Sequence, residues 1–519
     1  MKKATIGILG FIGAGIIIFL TNHYGSGMTP DSVAYISTAR NLAEGHGFLL
    51  YDGSHLVVQP PLYPILLAGI KKILLIDPLI SAGYVNALLF GFIIYLSGLL
   101  LSKYINSFAL IFLGTVSILI SYVLIKASLM VLSEPLFIFL VLMFLYFIDI
   151  YQSKGNILSL FLLSVLASFA CLTRYTGIVI LLTGISCILL CGKNKTRDRV
   201  RHAFIFILVT VLPVGLWILR NYYLSGTLVG RRAASSYTIF ENIGYFYNTV
   251  LSWYLPMNSE GIYLVLIIIL IAIWILYRTD YRMFTNNEVV NLIYPSLVFV
   301  IFYSGLIVIS SSTTAYDQIS NRLLSPIYIP IIIILFFIID KILTEAGRYS
   351  HQKIKTILLV AGIVLLMRYP LMNTIYFIEK YAKLSGWGYS SDSWTESETI
   401  KYFSQNELMA KNYTLFSNEP EAVYILTNYK TRRIPAKTFY NSPQHTKNNP
   451  SKKNIWKGAE NICLIWFNKT NDSFLYSINE LQKNINMKEI ARLNDGQIYT
   501  FQIEDIVPQD SLGENDNSP

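Results

Sequence analysis

Apolar residues along this chain come in long unbroken runs rather than in the alternating or one-sided patterns of soluble strands and helices. The runs lie near 5–21, 79–102, 105–123, 132–151, 156–172, 175–191, 203–219, 261–277, 289–310, 323–342 and 355–372. About 20 apolar residues cross a bilayer as a helix, so the pattern predicts about eleven transmembrane helices. The first run follows Met1-Lys2-Lys3 and has no small-x-small cleavage pattern before His23-Tyr24, which reads as an uncleaved helix. No internal repeat is apparent.

Polar stretches separate the runs. The segment 22–78 is a long loop with its own amphipathic pieces, and 220–260 is a second loop. Beyond 372 the periodicity changes. Tyr413–Phe416 and Asn461–Phe467 read as strands, Glu419–Thr427 and Ser473–Asn484 as helices, and Ile490–Gln502 as a hairpin turning at Asp495-Gly496. The expected organisation is therefore an α-helical polytopic membrane domain over 1–372 and a small C-terminal α/β domain over 373–507. The polar tail 508–519 has little to bury and is expected to be disordered.

Composition agrees. Of the 519 residues 54% are hydrophobic and only 14% charged, against about 25% charged in an ordinary globular chain. A larger core cannot absorb the excess, because single cores stop growing at about 250–300 residues. A soluble enzyme, a disordered scaffold and a disulfide-stapled domain are excluded. Cys171, Cys187, Cys191 and Cys463 form no C-x-x-C pair, so neither a disulfide framework nor a zinc site is predicted. The net charge of +10 would suggest nucleic acid in a soluble protein, but here the basic residues lie between apolar runs, where membrane topology accounts for them. With the N-terminus cytoplasmic, the inner segments hold the densest Lys and Arg, as in Lys193–Arg201 and Lys341–Lys355. An odd number of spans then sets the C-terminal domain outside a plasma or inner membrane.

The outer loops carry the candidate chemistry. Thr29 as N-cap, Pro30 at the first helical position and Gly45 as terminator predict a short helix on the membrane surface. Asp31 in its first turn is either a carboxylate paired with the helix dipole or a general base at the membrane boundary. Gln59-Pro-Pro-Leu-Tyr63-Pro64 sets a rigid entry into another short apolar helix, with Tyr63 a loop contributor to a site. Glu134, flanked by Ser133 and Pro135 within apolar sequence, is either a helix-start cap or a functional carboxylate at membrane depth. Arg174, Arg220, Arg231-Arg232 and Arg322, with Asp317 close before the last, gather at the same boundary. Singly each reads as a snorkelling residue; together, opposite two carboxylates, they suggest a site for an anionic phosphate. His46 and His55 could join Asp31 or Glu134 at a metal, although the spacing specifies none. A Walker A loop, a G-x-S-x-G elbow and an H-E-x-x-H helix are absent.

These motifs in this order resemble a known group. Asp31-Ser-Val-Ala-Tyr35, Ala39-Arg-Asn-Leu-Ala-Glu-Gly-His-Gly47 and Pro60-Pro-Leu-Tyr-Pro64 follow the first apolar run. Ser133-Glu-Pro-Leu-Phe137, Thr173-Arg-Tyr-Thr-Gly177, Leu219-Arg-Asn221 and Asn321-Arg-Leu-Leu-Ser-Pro326 come later. The sequence resembles the polytopic glycosyltransferases of the C superfamily (GT-C), in particular glycosyltransferase family 39, a group that includes protein mannosyltransferases and lipid A aminoarabinose transferases. Gly386-Trp-Gly-Tyr389 and Leu415–Tyr424 resemble the extracytoplasmic domain of its prokaryotic branch. The paired tryptophans and Asp of oligosaccharyltransferases are absent.

The resemblance implies transfer of a sugar from a polyprenyl-phosphate donor to a hydroxyl of a lipid, glycan or protein acceptor, with inversion. It implies Asp31 as base, Glu134 as a second acidic residue, and Arg174, Arg220 and Arg322 as candidates for the lipid phosphate. Ser32 stands where many relatives have a second adjacent acid. No nucleotide is implied, no cofactor is demanded, and a divalent cation could take part of the arginines' task. Two other classes are compatible with the residues alone: a transporter or flippase of lipid-linked sugars, and a non-catalytic subunit of cell-envelope assembly.

Overall fold

The computed structural model describes residues 2–192, 194–256, 289–346, 352–442, 444–446, 456, 458–470 and 472–506. The expected run 261–277 and the tail 508–519 lie outside the described residues. Helix α1 (Lys2–Tyr24) packs along α4 (Pro78–Tyr104), with Gly10 and Gly91 facing each other so closely that a Cβ on either would stand within 2.9 Å of the other's carbonyl oxygen. Such small-residue crossings let helices approach where lipid supplies no hydrophobic drive. Between them in sequence come α2 (Pro30–Ala43) and α3 (Leu62–Leu74), the two short helices expected in the first loop. Thr29 caps α2 as predicted, its hydroxyl accepting from the Ser32 N–H and the Ser32 hydroxyl accepting from the Thr29 N–H.

The run 105–123 is not one straight span. It forms α5 (Phe108–Leu119) and α6 (Tyr122–Leu129), bent by 44° at Ile120-Ser121. The side chain of Ser121 caps α6 by accepting from the Leu124 N–H, and the Thr374 hydroxyl donates to the carbonyl of Ile120. Two of the backbone groups freed by the break thus find partners, and each such group left unpaired in lipid would be costly. Next come α7 (Glu134–Lys154), α8 (Ile157–Thr173), α9 (Ile178–Cys191), α10 (Thr196–Ser225) and the amphipathic α11 (Ile239–Leu251). Then α12 (Tyr294–Thr313), α13 (Asn321–Ala346) and α14 (Gln352–Lys383) complete the helical part, the last running past the expected boundary at 372.

Among the described residues six helices are long and apolar enough to cross a membrane, seven when the bent α5–α6 pair counts as one. Their outward faces leave Phe11, Phe19, Leu88, Phe204, Leu212 and Leu216 exposed. Water would penalise that belt and lipid would not. The protein is a multi-pass membrane protein.

The C-terminal part contains α15 (Glu398–Gln405), α16 (Glu407–Asn412), α17 (Pro420–Thr427) and α18 (Ile478–Asn484). They pack with one five-stranded sheet in the order β2-β1-β3-β5-β4. Its strands are β1 (Thr414–Ser417), β2 (Thr431–Arg433), β3 (Asn461–Phe467), β4 (Lys488–Arg492) and β5 (Gly496–Gln502). β1 pairs in parallel with β2 and β3, while β5 pairs antiparallel with β3 and β4. Side chains of β3 alternate between faces. Cys463, Ile465 and Phe467 join the core that continues into the helices, and Ile462, Leu464 and Trp466 join a second core on the far side. One expectation needs correction here, and one element is an addition. The helix expected over 473–484 begins only after Ser477, whose hydroxyl and Glu480 form a capping box. Strand β2 was not expected, because Thr-Arg-Arg has no apolar alternation and becomes a strand only by pairing with β1.

One junction ties the two parts together. Gly27 donates its N–H to the Leu129 carbonyl and accepts from Val131, while Met28 donates to the Trp387 carbonyl and accepts from Tyr389. The segments before α2, before α7 and after α14 are thereby joined edge to edge. Gly388 has φ +67°, and a Cβ there would lie 1.9 Å from the Met28 carbonyl oxygen. Gly388→Ala should therefore lower the melting temperature in detergent by more than Gly45→Ala. Gly45 has a positive φ of +86° but open space around its Cβ position, so it incurs only the left-handed backbone cost of about 1–2 kcal/mol. Equal shifts for the two variants would show that the junction is loose.

Candidate functional site

Four helix ends converge around this junction. Asp31 lies in the first turn of α2, Glu134 opens α7, Arg174 follows the last residue of α8, and Arg322 is the second residue of α13. The Nε of Arg322 donates to Glu134 Oε1 at 2.7 Å, and its Nη2 pairs with Asp31 Oδ2. Arg174 Nη1 reaches the same Glu134 oxygen at 2.6 Å. Glu134 is fully buried, whereas the side chains of Asp31 and Arg322 are 34% and 28% exposed. The cluster therefore has a buried floor and an open rim, with Asp31 on the rim.

The helix dipoles explain part of this layout. Carboxylates in the first turns of α2 and α7 and a cation after α8 each meet the favourable helix end, by about 0.3–1 kcal/mol. Arg322 does not. It stands in the first turn of α13, where the dipole opposes a cation, so two carboxylates hold it there. Burial raises the Asp31 carboxyl, but the Arg322 guanidinium and the Gln59 amide outweigh it and hold the group below its ordinary value.

Neighbouring side chains fix the floor. Gln59 Nε2 donates to Asp31 Oδ1 at 3.0 Å. The Tyr35 hydroxyl lies 3.1 Å from Ser133 Oγ, and its ring meets Tyr63 edge-on at 5.2 Å. Tyr63 is fully buried and donates to Asn86, whose amide donates to the Met130 carbonyl at 2.6 Å. Tyr63 thus supports the extended segment that presents Glu134. Sequence reasoning did not assign Gln59, Tyr35 or Asn86 to a site. Asn86 had a usable signal, a lone amide within the apolar run 79–102; Gln59 and Tyr35 had only their place in quoted motifs.

The other candidates go elsewhere. Arg220 donates to the Leu56 carbonyl at 2.7 Å and lies over the rings of Trp217 and Phe48, fastening the first loop to α10. Asp317 accepts from the Tyr440 hydroxyl of the C-terminal part. His46 is exposed beside Glu44, and His55 is exposed in a loop. Neither histidine joins Asp31 or Glu134, and among the described residues no three His, Cys, Asp or Glu side chains gather as for a metal. Asp31 and Glu134 are both bonded to guanidinium groups, so a divalent cation between them would face Arg174 and Arg322. This donor set does not fit such an ion.

The C-terminal part covers the first loop from above. Arg40 makes a two-pronged pair with Asp77, 2.9 Å at each prong, and donates to Asn428 at 2.8 Å. The Tyr51 hydroxyl donates to Glu421, which also pairs with Arg433. Tyr389 donates to Glu419, whose carboxyl burial pushes above its usual range.

No family profile matches the sequence, and no curated protein sequence matches it. Solved structures do. ArnT from Cupriavidus metallidurans bound to undecaprenyl phosphate superposes with a TM-score of 0.58 at 12% identity, over 95% of this chain and 97% of that one. Its apo state gives 0.58 at 13% identity over 97% and 99%. The archaeal oligosaccharyltransferase AglB from Archaeoglobus fulgidus, in complex with an inhibitory peptide and a dolichol-phosphate, gives 0.50 at 11% identity over 88% and 69%. The chain shares the fold of these structures, an α-helical polytopic membrane part with a small mixed sheet near the C-terminus.

Proposed function

We propose that this protein transfers a sugar from a polyprenyl-phosphate donor to an acceptor hydroxyl at the outer membrane boundary. The observation that carries the reading is the convergence of Asp31, Glu134, Arg174 and Arg322 at one end of the helical part. The likeness to a structure bound to undecaprenyl phosphate and another bound to dolichol-phosphate supports the donor class. The outward orientation rests on the distribution of Lys and Arg in the sequence, and the inverting outcome on what the resemblance to family 39 implies.

The geometry suggests an order of events. The donor phosphate approaches the exposed side of Arg322, with Arg174 behind it, and competes with Asp31 for the guanidinium. Phosphate oxygens match that planar fork as well as a carboxylate does. Once released, Asp31 accepts the proton of the acceptor hydroxyl. The oxygen attacks the anomeric carbon from the face opposite the phosphate, the carbon–oxygen bond to phosphate breaks, and polyprenyl phosphate leaves with inversion. Glu134 keeps both arginines in place while charge grows on the departing phosphate, where preorganised cations contribute most.

The test is mass spectrometry of the protein purified in native-lipid nanodiscs, comparing wild type with Arg322→Ala. A copurifying polyprenyl-phosphate sugar, depleted in the variant, is expected and would name the sugar. Equal donor in both samples would remove Arg322 from phosphate binding. Supplied donor moving across liposomes with no new glycosidic bond would replace the transferase by a transporter.

A further inference from the structure

At the Trp387 strand of the junction lies a basic group that the transfer reaction does not use. The ammonium of Lys126, on α6, stands 4.9 Å from the centre of the Trp387 ring, and that of Lys380, near the end of α14, stands 5.5 Å from the same ring. Residues 126 and 380 are far apart in sequence, yet one indole carries both charges. Among the described residues neither lysine has an ion-pair partner; Glu379 and Asp392, the acids nearest Lys380 and Trp387 in the chain, pair with neither. An indole face attracts a cation but does not neutralise it. Two uncompensated ammonium groups on one ring repel each other and hold a local positive field.

Simple snorkelling would send each lysine outward to water along its own path. These two converge instead, and Lys126 is only partly exposed. The helix leading to Lys380 presents apolar surface: Leu371, Met372, Ile375 and Tyr376 lie exposed on α14 in the turns before it. A ligand held here has its anionic group between the lysines and its body along that apolar face.

We infer that Lys126 and Lys380, gathered on Trp387, bind the phosphate headgroup of an anionic membrane lipid, at a site separate from Arg174 and Arg322. The site has a mechanical consequence. The Trp387 carbonyl accepts the Met28 N–H, and Met28 lies three residues before Asp31. A lipid that steadies Trp387 also steadies the strand leading to Asp31.

The full-length protein, exchanged into mixed micelles of phosphatidylglycerol and phosphatidylcholine in equal amounts, is examined by native mass spectrometry. Wild type should retain phosphatidylglycerol in preference to phosphatidylcholine. Lys126→Ala with Lys380→Ala should lower that retention about tenfold or more, since each basic residue near a membrane surface contributes to anionic-lipid attraction. The double Lys→Arg variant should keep it, as should Arg322→Ala, which separates this site from the donor site. Equal retention of both lipids by wild type, or unchanged phosphatidylglycerol in the double alanine variant, would overturn the inference. Release of the lipid by millimolar inorganic phosphate would also overturn it, in favour of a free-phosphate site. Unchanged melting of the double alanine variant is the control for folding.

Discussion

Asp31→Asn should abolish sugar transfer while leaving the protein folded. Proton transfer by a positioned base typically contributes about 10²–10⁴-fold, and the amide keeps the shape of the carboxylate without its basicity. Asp31 is on the exposed rim, so its loss leaves Arg322 still bonded to the buried Glu134. Expression and melting should change little, and turnover of donor and acceptor should fall through most of that range. Turnover like that of wild type would remove Asp31 as the base.

The pH profile gives the same residue a second test. In the free enzyme, Arg322 and Gln59 hold the Asp31 carboxyl below its ordinary value despite burial. The ionised base therefore persists as pH falls through the usual aspartate range near 4, and kcat/KM should decline only below it. If donor phosphate draws Arg322 away, Asp31 loses its main cation in the bound complex. The acid limb of kcat should then lie at higher pH than that of kcat/KM, because the two profiles report bound and free enzyme respectively. Coincident limbs would mean that the phosphate does not compete with Asp31 for Arg322.

Glu134→Ala should have the opposite signature, with stability lost along with activity. Glu134 is fully buried and accepts from both Arg174 and Arg322. Removing it leaves two guanidinium groups facing each other at the floor of the site, one of them nearly buried. Breaking a buried pair by deleting one partner costs about 3–5 kcal/mol. The variant should melt well below wild type in detergent and retain little donor, and Glu134→Asp should recover part of the melting temperature. A variant that melts like wild type would show that the arginines find other partners and that Glu134 is not their anchor.

Much of the architecture was legible in the order of residues because a bilayer is a demanding solvent. A run such as 79–102 has few alternatives to a spanning helix, since each unsatisfied backbone group in lipid costs several kcal/mol. Local signals were as readable where they act over three or four residues. Thr29 and Pro30 start α2 as expected, and the strand Asn461–Phe467 matches its apolar run residue for residue. The bend at Ile120-Ser121 was not legible, because the group that makes it affordable, the Thr374 hydroxyl, lies on a helix far along the chain. Strand β2 was hidden for the same reason, its partner being β1 rather than its own sequence.

The candidate site divides along the same line. By itself the sequence determined which residues were unusual: an acid in the first turn of a surface helix, a carboxylate within apolar sequence, and arginines at the ends of apolar runs. Those judgements need only the cost of a charge near lipid. Which of them belong together was decided by tertiary structure alone. Arg174, Arg220 and Arg322 look equivalent in one dimension, yet two of them meet Glu134 while Arg220 lies on Trp217 and Phe48. The junction of Gly27 and Met28 with the segments at 129–131 and 387–389 brings those helix ends to one point. An ion pair depends on a few ångströms of distance between groups tens to hundreds of residues apart, and only the packed chain sets that distance.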